Sequence, residues 1–99
     1  MVENPLEIFE GLDPELLSLV ENTRDFALTE GALPRKVKLL IAMALDASQG
    51  AVEGVKTLAQ KAMQTGATKQ EIAEALRIAY YICGVGSIYT TANALKDLL

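Results

Sequence analysis

Gly66-Ala67-Thr68-Lys69-Gln70-Glu71-Ile72-Ala73-Glu74-Ala75-Leu76 is the stretch that decides the fold. Thr68 and Glu71 stand three apart at the head of an apolar pattern. Each side chain can satisfy a free amide at the other residue, which is a capping box and a helix start. The helix it opens carries Ile72, Ala75, Leu76, Ala79, Tyr80 and Cys83 on one side, predicted to face inward. Gly84-Val85-Gly86 breaks it. A last helix is expected from about Ser87, with Ile88, Ala92, Leu95 and Leu99 as its stripe.

Upstream, the same helical spacing repeats. Gly66 is the stop of a helix that begins after a break at Gly50, with Ala51, Val55, Leu58, Ala59, Ala62 and Met63 on one stripe. Pro34 opens the helix before it, which is apolar on every side over residues 39–45. A helix apolar all round is a central one, and in so small a chain it implies cover from a neighbouring subunit. Asp13-Pro14 starts a further helix, with Asp as cap and Pro in the first turn. Its stripe is Leu16, Leu17, Val20, Thr23, Ala27 and Leu28, and Gly31 is expected to end it in the left-handed conformation. A short turn over residues 4–10, ended by Gly11, leads the chain. The expectation is an all-α bundle of five main helices plus a short N-terminal turn, forming a single domain over residues 1–99.

Composition narrows the chemistry. The chain has 99 residues, 51% of them hydrophobic and 22% charged, with one cysteine and no histidine. That excludes a Cys/His zinc site, an internal disulfide, a histidine-based triad and a CxxC couple. No cofactor and no metal is expected. The net charge of −4 repels phosphate backbones, so no nucleic-acid partner is expected. The apolar run over residues 39–45 is far short of the roughly 20 residues a membrane span needs. Met1-Val2-Glu3-Asn4-Pro5 lacks the basic start and apolar run of a signal peptide, and the lone cysteine fits a cytoplasmic setting. A mean hydropathy of +0.23 is high for a small monomer and points to a homo-oligomer.

The order of signals resembles that of the carboxymuconolactone decarboxylase family, which includes the alkylhydroperoxidase D-like (AhpD-like) proteins. The likeness is carried by Leu33-Pro34-Arg35-Lys36-Val37-Lys38, the apolar helix after it, the residues 66–76 already quoted, Gly84-Val85-Gly86, and Thr90-Thr91-Ala92-Asn93-Ala94-Leu95. It covers residues 33 to about 95. The resemblance implies an all-helical AhpD-like bundle assembled as a trimer or hexamer. Redox members of that family carry a Glu on the buried helix, a CxxC, and a His four residues past the second Cys. Counted back from Gly66, those positions fall on Leu39, Ala51, Gly54 and Leu58. The decarboxylase branch keeps a His at the helix position, and often a second one, which falls near Thr90. None of the four main positions holds the family's chemistry here. A polar relay is replaced by apolar residues as a unit, which leaves no single buried charge without a partner.

Each candidate has a chemical and a plain reading. Leu39, Ala51, Gly54 and Leu58, with Tyr80 and Cys83, are a candidate pocket for a small apolar ligand, or they close the core. Tyr80, Tyr81 and Tyr89 could serve a ligand, or form an aromatic interface. Asp46 and Glu53 flank the break at Gly50 as an acid pair, or are solvated. Arg35, Lys36 and Lys38 could hold an anion, or tie down a helix start. Cys83 could be a reactive thiol, or a small hydrophobe. Three functions follow, in this order: a non-catalytic family member kept for binding or assembly, an enzyme with relocated chemistry on a small apolar or lactone-like substrate, and a one-cysteine peroxide-handling protein.

Overall fold

The computed structural model describes residues 4–99, and every regular element among them is helical. A 3-10 turn, Pro5–Ile8, runs into α1, Phe9–Leu12. Five longer helices follow: α2 Pro14–Leu28, α3 Arg35–Ser48, α4 Val52–Gln64, α5 Lys69–Cys83 and α6 Gly86–Leu95. The all-α expectation therefore holds, with the leading turn as a small helical prelude. The reading of Met1, Val2 and Glu3 lies outside the described residues.

Local chemistry sets the helix ends. Asp13 accepts from the Leu16 amide at 3.1 Å and starts α2. The capping box closes as the sequence indicates: the Thr68 hydroxyl accepts from the Glu71 amide at 3.0 Å, and Glu71 Oε1 accepts from the Thr68 amide at 2.9 Å. Gly50, Gly66 and Gly84 take positive φ and break the chain between helices. Two expected stops differ. Gly11 lies inside α1, and the turn ends instead at Asp13, whose extended backbone breaks the helix. Gly31 is not left-handed; α2 stops at Leu28, where the Thr29 amide and hydroxyl both donate to the Asp25 carbonyl.

Helices α3 and α4 form an antiparallel pair, with α5 and α6 packed on it. The main core joins Met43, Ala47, Val55, Ala59, Ile72, Leu76, Ala79, Ala94 and Leu95. A smaller cluster gathers Leu39, Ala62 and Ala67. Two expected faces, on α5 and α6, are corrected. Helix α3 buries Leu39, Met43 and Ala47, but leaves Ile41 46% and Leu45 59% exposed, so it is not enclosed on all sides within one chain. On α5, Tyr80 and Cys83 are exposed rather than inward: Tyr80 lies beside the face of Ile72, Leu76 and Ala79, and Cys83, in line with that face, is the last residue of the helix. On α6 the buried face is Ser87, Thr91, Ala94 and Leu95, not Ile88, Ala92 and Leu99. Burying those two hydroxyls costs little, since Ser87 donates to the Gly84 carbonyl at 2.8 Å and Thr91 to the Ser87 carbonyl at 2.7 Å.

Helix α2 is different. It has no fully buried residue, and of the expected stripe only Leu17 and Leu28 are half-buried, Leu28 against the Leu39 cluster. No helix among the described residues is long and apolar enough to cross a membrane.

Candidate functional site

The four positions singled out on α3 and α4 lie along the seam between these helices. Leu39 is fully buried, and Leu58 packs against its cluster from α4. The two side chains share one apolar contact region, as helices running in opposite directions require: the start of α3 faces the later turns of α4. At the other end of the seam, Ala51 caps α4 and Gly54 sits in its first turn. Ala51, Gly54 and Leu58 are spaced by three and four and share a face. Neither the concavity lined by residues of α3 and α5 nor the one beside Gln60, Met63, Gln64 and Leu98 includes any of these four residues.

Gly54 has a specific neighbour. A Cβ at this position would come within 2.9 Å of Asp46 Cγ, and closer still to Oδ2. The half-buried Asp46 carboxylate therefore rests on α4 where the glycine leaves room. Glu53, the other acid at this break, is exposed. Among the described residues no group of three or more His, Cys, Asp or Glu could hold a metal ion.

The remaining candidates separate. Tyr80, Tyr81 and Tyr89 are all exposed, as is the free Cys83 thiol, so Tyr80 and Cys83 do not join Leu39 and Leu58 in a pocket. The basic residues at the head of α3 are occupied. Lys36 Nζ meets Glu71 Oε2 at 2.9 Å, and Lys38 Nζ donates to the Thr29 carbonyl at 2.7 Å. Arg35 reaches the Leu28 carbonyl at 3.5 Å. The hydrogen bond from Lys36, followed by that from the Thr68 amide, holds the Glu71 carboxyl below the usual glutamate range.

A concavity lies elsewhere, on the outer side of α3 and α5. It has a volume of about 650 Å³ and is lined mainly by Val37, Leu40, Ile41, Ala44, Leu45 and Ile78, with Glu71, Glu74 and Arg77 on its wall.

The chain matches the carboxymuconolactone decarboxylase family over residues 14–97. It belongs to that family. A crystal structure of a carboxymuconolactone decarboxylase family protein from Legionella pneumophila, solved in its apo form, matches it with a TM-score of 0.86. The two are 33% identical, and the match covers 92% of this chain and 81% of that one. An uncharacterized protein of Methanocaldococcus jannaschii is 25% identical over 93 residues, which span 94% of this chain and 87% of that protein.

Within this carboxymuconolactone decarboxylase family chain, two features were not singled out from the sequence. The α3–α5 groove was signalled only by the all-round apolar run over residues 39–45, which gives no hint of which side stays open. The close approach of Asp46 to Gly54 had a fainter signal: a glycine in the first turn of α4, where alanine would favour the helix more.

Proposed function

We propose that this chain is a non-catalytic member of its family, kept for assembly with copies of itself as a trimer or hexamer in the cytoplasm. The observation that carries this reading is the complete burial of Leu39 in a cluster that Leu58 packs against. By the count from Gly66, these positions correspond to the Glu and His of redox relatives. Two apolar side chains in one packed cluster can neither relay a proton nor lower a thiol pKa. The absence of histidine and of a second cysteine from the sequence supports the same reading. Assembly is supported by the apolar residues left uncovered, Ile41, Leu45 and Ile78 among them.

The experiment is paired. Sedimentation velocity at micromolar concentration should give a species several times the 10.6 kDa chain mass. Hydroperoxide consumption, with dithiothreitol or a thioredoxin system as reductant, should not exceed the buffer rate. Consumption that disappears in Cys83→Ser would replace this reading with the one-cysteine peroxide-handling function.

One observation favours a second reading. Asp46 brings an ionisable group onto α4 beside Gly54, at the level of the family's thiol positions. An enzyme with relocated chemistry would use this carboxylate as a general base on a small apolar or lactone-like substrate. Lactone turnover lost in Asp46→Asn, with the fold intact, would favour it over assembly alone.

A further inference from the structure

We propose that the α3–α5 groove is covered by the acidic N-terminal arm, residues 5–28, of a second copy of this chain. This rests on the assembly reading and names the contact that makes it. Three independent features of the chain converge on it.

The first is area. The chain exposes 6855 Å². A folded monomer of this mass exposes only about 5,500 Å². The excess of about 1,400 Å² exceeds the roughly 800 Å² per partner that a stable interface covers. The Cα radius of gyration is 14.2 Å, against about 13 Å for a compact chain of this length.

The second is where the excess lies. Helix α2 has no fully buried residue, and Leu16, Leu19, Val20 and Phe26 are apolar and exposed, Phe26 by 86%. The groove side shows the complementary fault, with Ile41, Leu45 and Ile78 exposed on the two helices that form its walls. An arm and a groove that are both apolar and both open within one chain can each cover the other across two chains. The connection over residues 29–34 fixes the root of the arm. Lys38 holds the Thr29 carbonyl, and Glu30 accepts from the Arg35 amide at 3.3 Å.

The third is charge. Residues 5–28 contain six acids and one arginine, a net charge of −5. Residues 29–99 contain eight Lys and Arg against six Asp and Glu, a net charge of +2. The arm is repelled by other arms and attracted to bundles. The groove wall itself carries Glu71, which Lys36 pairs with at 2.9 Å, as well as Glu74 and Arg77. Arg77 has no ion-pair partner among the described residues, so it is available to an arm carboxylate.

The test is a cross-link in the full-length chain, in a Cys83→Ser background. Leu19→Cys and Ile41→Cys are made as separate chains carrying different tags, co-expressed, and treated with a flexible bis-maleimide. Both positions are exposed, so neither change disturbs the core, and circular dichroism checks the fold. The expected result is a cross-linked pair containing both tags, in several-fold excess over the yield when Gln64→Cys on α4 replaces Ile41→Cys. An oligomer by sedimentation that gives no such excess overturns the arm contact and leaves the assembly reading standing. A cross-link that forms only within one chain bearing both changes also overturns it. A 10.6 kDa species by sedimentation removes both readings together.

Discussion

The carboxylate of Asp46 rests against Gly54, in the space where any other residue at position 54 would carry its Cβ. The contact joins the last turns of α3 to the first turn of α4, and it explains why a residue with poor helix propensity sits there. Gly54 has no positive φ, so nothing in its backbone requires glycine. The neighbouring carboxylate is the reason.

Gly54→Ala and Asp46→Ala should therefore be coupled. In an Asp46→Ala background, Gly54→Ala should stabilise the protein by about 0.5–1 kcal/mol, the helix-propensity gain. In the parent the new methyl must displace the carboxylate, and the gain should be reduced by at least about 0.5 kcal/mol. Urea denaturation of the four proteins, at one fixed protein concentration, measures the coupling. Additive effects would mean that the two residues do not touch.

The capping box makes a local prediction. Thr68→Ala leaves the Glu71 amide without its acceptor at the head of α5, and should cost about 1 kcal/mol. Thermal or urea unfolding reads the loss. Because Thr68 is exposed, the cost should come without a change in helical content at low temperature.

Lys36 and Glu71 join α3 to α5, and their pair gives a pH dependence with a definite sign. The Glu71 carboxyl is lowered chiefly by the Lys36 hydrogen bond. A carboxyl lowered in the folded state favours folding above its unfolded pKa, and that contribution is lost as pH falls through the folded value. Lys36→Met should therefore be less stable than the parent at neutral pH. The difference should shrink as the solution is acidified below the ordinary glutamate pKa. Because both side chains remain about a third exposed, added salt should shrink it as well. Stability curves of the two proteins against pH test this, and a gap that widens in acid would contradict it.

The sequence made helix starts more legible than helix faces. Asp13, Pro34 and Thr68 act through neighbours a few residues away, so local spacing is enough to read them. The stop at Gly11 failed because α1 runs through it to Asp13, and the stop at Gly31 failed because the Thr29 contacts to Asp25 end α2 first. The inner face of α6 was misread because Ser87 and Thr91 look polar, while their hydroxyls are satisfied by the preceding turn. The apolar character of the seam was legible at Leu39 and Leu58. The approach of Asp46 to Gly54 depends on how α3 and α4 dock, which spacing within either helix does not encode. The same holds for the α3–α5 groove, whose walls come from segments about 30 residues apart.

The account rests on the Leu39–Leu58 end of the α3–α4 seam being packed apolar structure rather than a site. The most direct measurement is the unfolding free energy of Leu39→Ala, taken at the same protein concentration as the parent. Leu39 is 0% exposed, so removing its side chain should leave a cavity and cost about 2–5 kcal/mol. A variant within about 0.5 kcal/mol of the parent, the range of ordinary surface changes, would contradict the account and mean that the seam is open.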